Sequence, residues 1–262
     1  MSETLLVEIG NTAWKVARYR AGLPIEFLHK GYGIDGLLEF LTEQPMQHVA
    51  LASVGTEEHI AAIQAHLDAQ GKVLHVARSA TGFGIQHCYQ QPETLGVDRW
   101  LTLFVAKASQ RAAIIIDAGT AITLDVITAN GDHKGGWIAP GMKLMQESLV
   151  QRSTRLKVTE QVPNEILGTA TERAIFLGCR ASLRGFVSAA LSAAYGALGV
   201  QNNLNSKLPT NAAADSTASA IAVWCTGGDS EYFQVGELSN AEMRPHLVLE
   251  GLALWYQQKE AT

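Results

Sequence analysis

Two stretches of this chain repeat one pattern of apolar and polar positions. Residues 5–14 read as an apolar run, a carboxylate (Glu8), a free position, a glycine (Gly10), small polar residues (Asn11, Thr12) and a second apolar run. Residues 113–126 do the same, with Asp117, Gly119 and Thr120 at the bend. Small polar residues and glycine between apolar runs signal a tight turn. Each stretch therefore predicts a strand, a bend carrying an acid and hydroxyls, and a returning strand. After the first copy (strands 5–9 and 14–19), the pattern predicts a helix at 34–41, a buried strand at 48–54 and a short strand at 73–76. Between those strands, residues 56–71 open on Thr/Glu and stop at Gly71, which marks an amphipathic helix.

The second copy begins near Ala112. A glycine-framed strand at 135–141 is expected to end in a Pro-Gly turn, with a helix from Met142. Residues 168–198 are alanine-rich and read as helix interrupted at Gly178 and Gly185. Residues 200–219 are small and polar, a loop or an exposed helix end. A last strand at 220–225 runs into Thr226-Gly227-Gly228-Asp229, and a closing helix is expected at 245–258. Alternating strands and helices imply a mixed α/β sheet. The repeat implies two related lobes, 1–110 and 111–262, with the closing helix returning to the first.

Composition narrows the class. At 262 residues, 47% apolar and with 7 prolines, the chain can bury one large core or two smaller ones. Its net charge of −5 and the lack of a Lys/Arg cluster argue against binding nucleic acid through phosphate neutralisation. The opening MSETLLVEIG shows no signal peptide, and no window reaches the ~18 unbroken apolar residues of a membrane span. Cys88, Cys179 and Cys225 are odd in number, far apart and without C-x-x-C spacing, which fits a reducing cytosol and gives no zinc site.

The candidate chemistry lies at the bends. In Glu8–Lys15, Gly10 allows close backbone approach to an anion, Asn11 and Thr12 add donors, and Lys15 adds charge. Glu8 at the strand end can hold Mg²⁺ directly or through water. Taken alone, the segment reads first as an ordinary hairpin with a polar turn, since turn chemistry by itself selects Gly and Asn. Asp117 follows four apolar residues, and a buried carboxylate is costly unless a cation stands beside it or it is protonated. Thr120 and Thr123 can bond phosphate, while Asp125 shares the parity of Thr123 and can equally face solvent. Gly96-Val97-Asp98-Arg99 sits at a loop-to-helix junction. There Asp98 is either a cap paired with Arg99 or a base beside a phosphate-steadying guanidinium. The paired glycines 227 and 228 suit flat packing against an adenine or sugar, and equally a plain turn.

Taken in order, these segments resemble the type III pantothenate kinases of the acetate and sugar kinase/Hsp70/actin superfamily. The motifs are E-I-G-N-T-A-W-K, Y-x6-G-V-D-R, D-A-G-T-A-I-T-L-D, G-G-W-I-A-P-G-M, A-T-E-R-A-I and T-G-G-D, and together they run through essentially the whole chain. No Walker-type G-x-x-x-x-G-K-[ST] occurs. The resemblance implies two actin-like (ribonuclease H-like) lobes, each with a mixed sheet, and a nucleotide cleft between them. It implies ATP-dependent phosphorylation of pantothenate, the first step of coenzyme A synthesis. By position, Glu8, Gly10, Asn11, Thr12, Lys15 and Thr120 correspond to ATP contacts and Asp98 to the general base. Tyr89, Gly96, Val97, Arg99 and Thr171 correspond to substrate contacts, Thr171 near a dimer interface, and Asp117 to a monovalent-cation ligand. Mg²⁺ with ATP, K⁺ or NH₄⁺, a homodimer and a cytoplasmic location are implied too, with no nucleic-acid or membrane partner. Other readings are a different actin-like small-molecule kinase and a non-catalytic regulatory homologue. The first motif of the family usually opens on Asp, and this chain carries Glu8 there.

Overall fold

In the computed structural model, residues 3–80, 83–151, 157–159, 162–200, 221–232, 238 and 241–260 are described. The chain forms two compact units. One comprises Met1–Gln110, Ala129–His133 and His246–Thr262, the other Arg111–Thr128 and Lys134–Pro245.

The first unit holds strands β1 (Thr4–Ile9), β2 (Trp14–Tyr19), β3 (Glu26–Gly31), β4 (His48–Ser53) and β5 (Val73–Val76). Their order in the sheet is β3-β2-β1-β4-β5. β1, β2 and β3 pair antiparallel, while β1–β4 and β4–β5 are parallel. Parallel neighbours need crossovers, which α1 (Ile34–Glu43) and α2 (Glu57–Asp68) supply. The central position of β1 explains its unbroken apolar run: Leu5, Leu6 and Val7 are all buried. Leu37 and Leu41 of α1, and Ile63 and Leu67 of α2, complete the core with Leu51. The Thr56 side chain caps α2 by accepting the His59 N–H at 3.4 Å.

α3 (Val97–Ala108) and α6 (Leu247–Glu260) finish this unit. They cross closely at Gly251, where a Cβ would stand 2.1 Å from the Leu101 carbonyl oxygen. α6 also packs on β1 and β4. β3 was not among the predicted elements. It is an edge strand whose Glu26, Phe27, His29 and Lys30 are exposed, so no apolar alternation betrays it.

The second unit repeats the topology. β6 (Ala113–Ala118), β7 (Ala121–Ile127), β8 (His133–Pro140, whose first residue belongs to the first unit), β9 (Ala222–Thr226) and β10 (Glu242–Met243) are ordered β10-β9-β6-β7-β8. Again a central strand pairs antiparallel with the next strand and parallel with a later one. Its helices are α4 (Met142–Val150) and α5 (Thr171–Ala197).

α5 corrects an expectation: it runs unbroken through Gly178 and Gly185. A Cβ at either glycine would meet nothing. Each glycine costs a helix about 1 kcal/mol, which does not break one this well anchored. Phe176, Cys179, Leu183, Val187, Ala190 and Ala194, at three- and four-residue spacing, bury against the sheet. α5 is also, among the described residues, the helix long and apolar enough to cross a membrane by length and composition. Its apolar face packs on the sheet, with 33% of that apolar window buried. Asp125 is buried, 2% exposed, rather than solvent-facing. The loop expected at 200–219 lies almost wholly outside the described residues, as does Ala220.

Candidate functional site

The polar bend of the first unit is built by strand register. Glu8 and Lys15 face each other across β1 and β2, and Lys15 Nζ lies 3.3 and 3.4 Å from the two Glu8 carboxylate oxygens. The Glu8 side chain is 14% exposed. Burial raises its carboxyl above the usual value; Lys15 opposes that rise and the charge of Asp98 adds to it. Asp98 is thus an electrostatic neighbour of the hairpin within the same unit. The Gly10 N–H donates to the Ala13 carbonyl at 3.0 Å and closes the turn, leaving Asn11 and Thr12 exposed at its tip. A cavity of about 380 Å³ opens beside them, floored by Ile34, Leu37 and Val54.

Asp98 owes its pose to the residue before Val97. The Asp98 carboxylate folds back over the start of α3 and accepts the Arg99 N–H at 2.7 Å, a position the helix dipole favours. Gly96 makes that pose possible, because a Cβ there would lie 2.6 Å from Asp98 Oδ1. Arg99 is buried, 7% exposed. It donates from Nη1 to the Tyr89 hydroxyl at 3.2 Å, with its guanidinium 5.9 Å from the Tyr89 ring centre. Val97 turns its side chain into the core. The fold therefore gathers Glu8, Gly10, Asn11, Thr12, Lys15, Tyr89, Gly96, Val97, Asp98 and Arg99 into the first unit.

Asp117, Thr120 and Thr171 belong to the second unit. Asp117 is half-buried at the end of β6, and Thr120 is exposed at the bend. Two glycines clamp this hairpin. The Gly141 N–H donates to the Thr120 carbonyl at 2.9 Å, and a Cβ on Gly141 would stand 2.1 Å from the Gly119 oxygen. Gly227 has φ +90° and lies so near Ala118 that a Cβ would be 2.2 Å from its oxygen. Burial, reinforced by the charge of Asp117, pushes the Cys225 thiol up to about 12. Thr171 opens α5 and is exposed.

Sequence reasoning missed the roles of Gly96, Gly141 and Asp229. Asp229 Oδ2 accepts the Met142 N–H at 3.2 Å, so it caps α4 from 87 residues away. The glycine in G-V-D-R was a usable signal for the first; nothing local announces the last. Among the described residues, no group of three or more His, Cys, Asp or Glu side chains could hold a metal ion. Asp117 offers hard carboxylate oxygens at the end of β6, whereas the Glu8 oxygens are shared with Lys15.

A five-stranded sheet built twice, its central strand antiparallel to the next strand and parallel to a later one, is the actin-like, ribonuclease H-like fold. The type III pantothenate kinase model matches residues 4–193. The type III pantothenate kinase of Pseudomonas aeruginosa (strain LESB58) is 33% identical over 231 residues, covering 84% of this chain and 85% of that protein. That of Nitrosococcus oceani is 32% identical over 265 residues, covering 95% and 92%. The crystal structure of a conserved Campylobacter jejuni protein assigned to the Baf family of transcriptional activators superposes with a TM-score of 0.60. It is 20% identical, covers 98% of this chain and 100% of its own, and bears on the fold alone. The chain belongs to the type III pantothenate kinase family.

Proposed function

We propose that this protein uses ATP to phosphorylate the primary hydroxyl of pantothenate, the first step of coenzyme A biosynthesis, with Asp98 as general base. One observation carries the assignment of the base. The Asp98 carboxylate is held at the head of α3 by the Arg99 N–H, beside the Arg99–Tyr89 pair and within electrostatic reach of Glu8. A carboxylate fixed there takes the hydroxyl proton, while Tyr89, Arg99 and the backbone of residues 96 and 97 hold the substrate. Asn11 and Thr12 offer donors to phosphate oxygens, with Gly10 shaping the turn and Lys15 adding positive charge. Thr120 is a further ATP contact, and Thr171 a substrate contact near a homodimer interface.

Asp117 would hold a monovalent cation, K⁺ or NH₄⁺. Glu8, with Lys15 already on its oxygens, would meet Mg²⁺ through water. Bound cations of this kind neutralise phosphate charge as it shifts in the transition state. The protein acts as a cytoplasmic homodimer, without a nucleic-acid or membrane partner.

The test is product formation from MgATP and pantothenate in K⁺ compared with Na⁺. Phosphopantothenate should form in K⁺, and Asp98→Asn should lower kcat by about 100- to 10,000-fold. Asp117→Asn should erase the difference between K⁺ and Na⁺. A folded protein that makes no product at any pantothenate level would point instead to a regulatory homologue. In that event, Glu8→Asp shows whether the longer acid is the cause.

A further inference from the structure

We propose that Cys88 and His133 form a thiol-reactive pair, a site for reversible mixed-disulfide formation with small disulfides. Cys88 Sγ lies 3.6 Å from His133 Nδ1. Cys88 is exposed and not in a disulfide, whereas the imidazole is buried, 2% exposed. The His133 ring is fixed in place by the Tyr89 ring, 5.8 Å away and at 60°, and by His87 at 6.4 Å and 90°. With its hydrogen on Nε2, the imidazole accepts the thiol proton at Nδ1. An exposed thiol with a rigid buried base behind it is how proteins make a nucleophilic sulfur.

The thiol also faces somewhere for a reagent to go. Cys88 lines an open hollow of about 490 Å³ with Tyr89, Gln90, Gln91 and Thr94. Its rim of amides and hydroxyls suits a polar, flexible disulfide. The other two cysteines are buried, and burial raises both thiols, Cys225 to about 12. Selectivity for Cys88 is thus built into the fold.

The step balances without a further reagent. His133 Nδ1 takes the proton from Cys88, and the thiolate attacks one sulfur of the disulfide. A bond forms from Cys88 Sγ to that sulfur, and the original S–S bond breaks. The departing thiolate carries away the electron pair and recovers the proton from the imidazolium. Cys88 is oxidised, and the small disulfide is reduced to one free thiol. An adduct fills the hollow that Tyr89 lines and parts Tyr89 from Arg99. The kinase consequence rests on the assignment of those two residues to pantothenate: the adduct weakens substrate binding until a reducing thiol removes it.

The test titrates the folded protein with dithiobis(nitrobenzoate), a chromogenic disulfide, and then with oxidised glutathione. One thiol per chain should react about three- to tenfold faster than free glutathione at pH 7. Cys88→Ser should abolish that phase, and His133→Asn should slow it to the free-thiol rate. The glutathione adduct should raise KM for pantothenate more than it lowers kcat, with recovery in dithiothreitol and no effect of treatment on Cys88→Ser. A Cys88 no faster than free thiol overturns the pair, as does an unchanged rate in folded His133→Asn. If that variant does not fold by circular dichroism, the wild-type rate against free glutathione decides alone. An adduct that leaves KM unchanged overturns the regulatory role. Protein that reacts fast yet has no kinase activity before treatment overturns the proposed function and supports the pair.

Discussion

Replacing Gly96 with alanine would test whether Asp98 is held ready for proton transfer by geometry. Gly96 has φ −52° and ψ 135°, which any residue adopts, so the backbone itself is not strained by the change. The conflict is with one side chain: the new Cβ would sit 2.6 Å from Asp98 Oδ1. Ordinary contact requires the carboxylate to retreat by roughly half an ångström or more, away from the Arg99 N–H that holds it at 2.7 Å. The lost hydrogen bond costs about 1 kcal/mol of stability. Reduced freedom of the unfolded chain offsets about 0.4–1 kcal/mol of that. Stability should therefore barely move. A catalytic group displaced by about 1 Å can lose 100-fold in rate, so kcat should fall by about 10- to 100-fold. Steady-state ADP release, with a thermal melt on the same sample, measures both. A kcat within about twofold of wild type, at unchanged Tm, would refute the claim that this glycine exists to place the carboxylate.

Three further outcomes follow from the same geometry. Lys15→Met removes the cation that holds the Glu8 carboxyl down against burial and Asp98, so the acidic limb of kcat/KM for ATP should move to higher pH; a limb that stays put contradicts the coupling. Gly141→Ala drives a Cβ into the Gly119 carbonyl, and overpacking of about 1–3 kcal/mol should lower Tm by roughly 3–10 °C, read by calorimetry. For Asp229, burial raises the carboxyl above its usual 3.8, ahead of the opposing hydrogen bond from Met142. The folded state then binds more protons, so this contribution to stability is present at low pH and lost as pH rises from 3.8 through the raised value. Denaturant melts of wild type should show that decline relative to Asp229→Asn, and parallel pH curves would refute it.

The sequence determined much of this because period and turn chemistry are local. β1 and β2, β6 and β7, and α2 with its Thr56 cap and Gly71 stop fall where apolar spacing and punctuation put them. The doubled carboxylate–glycine bend pointed to two related units because the same residues at the same spacing make the same hairpin. The motif order also marked Asp98, Tyr89 and Arg99 before any contact was visible.

Only the tertiary structure decided the rest. β3 is an edge strand with little to bury, so it leaves almost no hydrophobic trace. α5 stays whole through two glycines because its buried face, far away in sequence from β6 and β7, outweighs a local propensity. Gly96 and Gly141 are glycines for reasons of space, set by atoms that pack against them, and Gly227 for space and a positive φ together. The Glu8–Lys15 pair, the Arg99–Tyr89 hydrogen bond and the distant cap from Asp229 are distances, and a linear pattern has no term for distance between residues far apart along it.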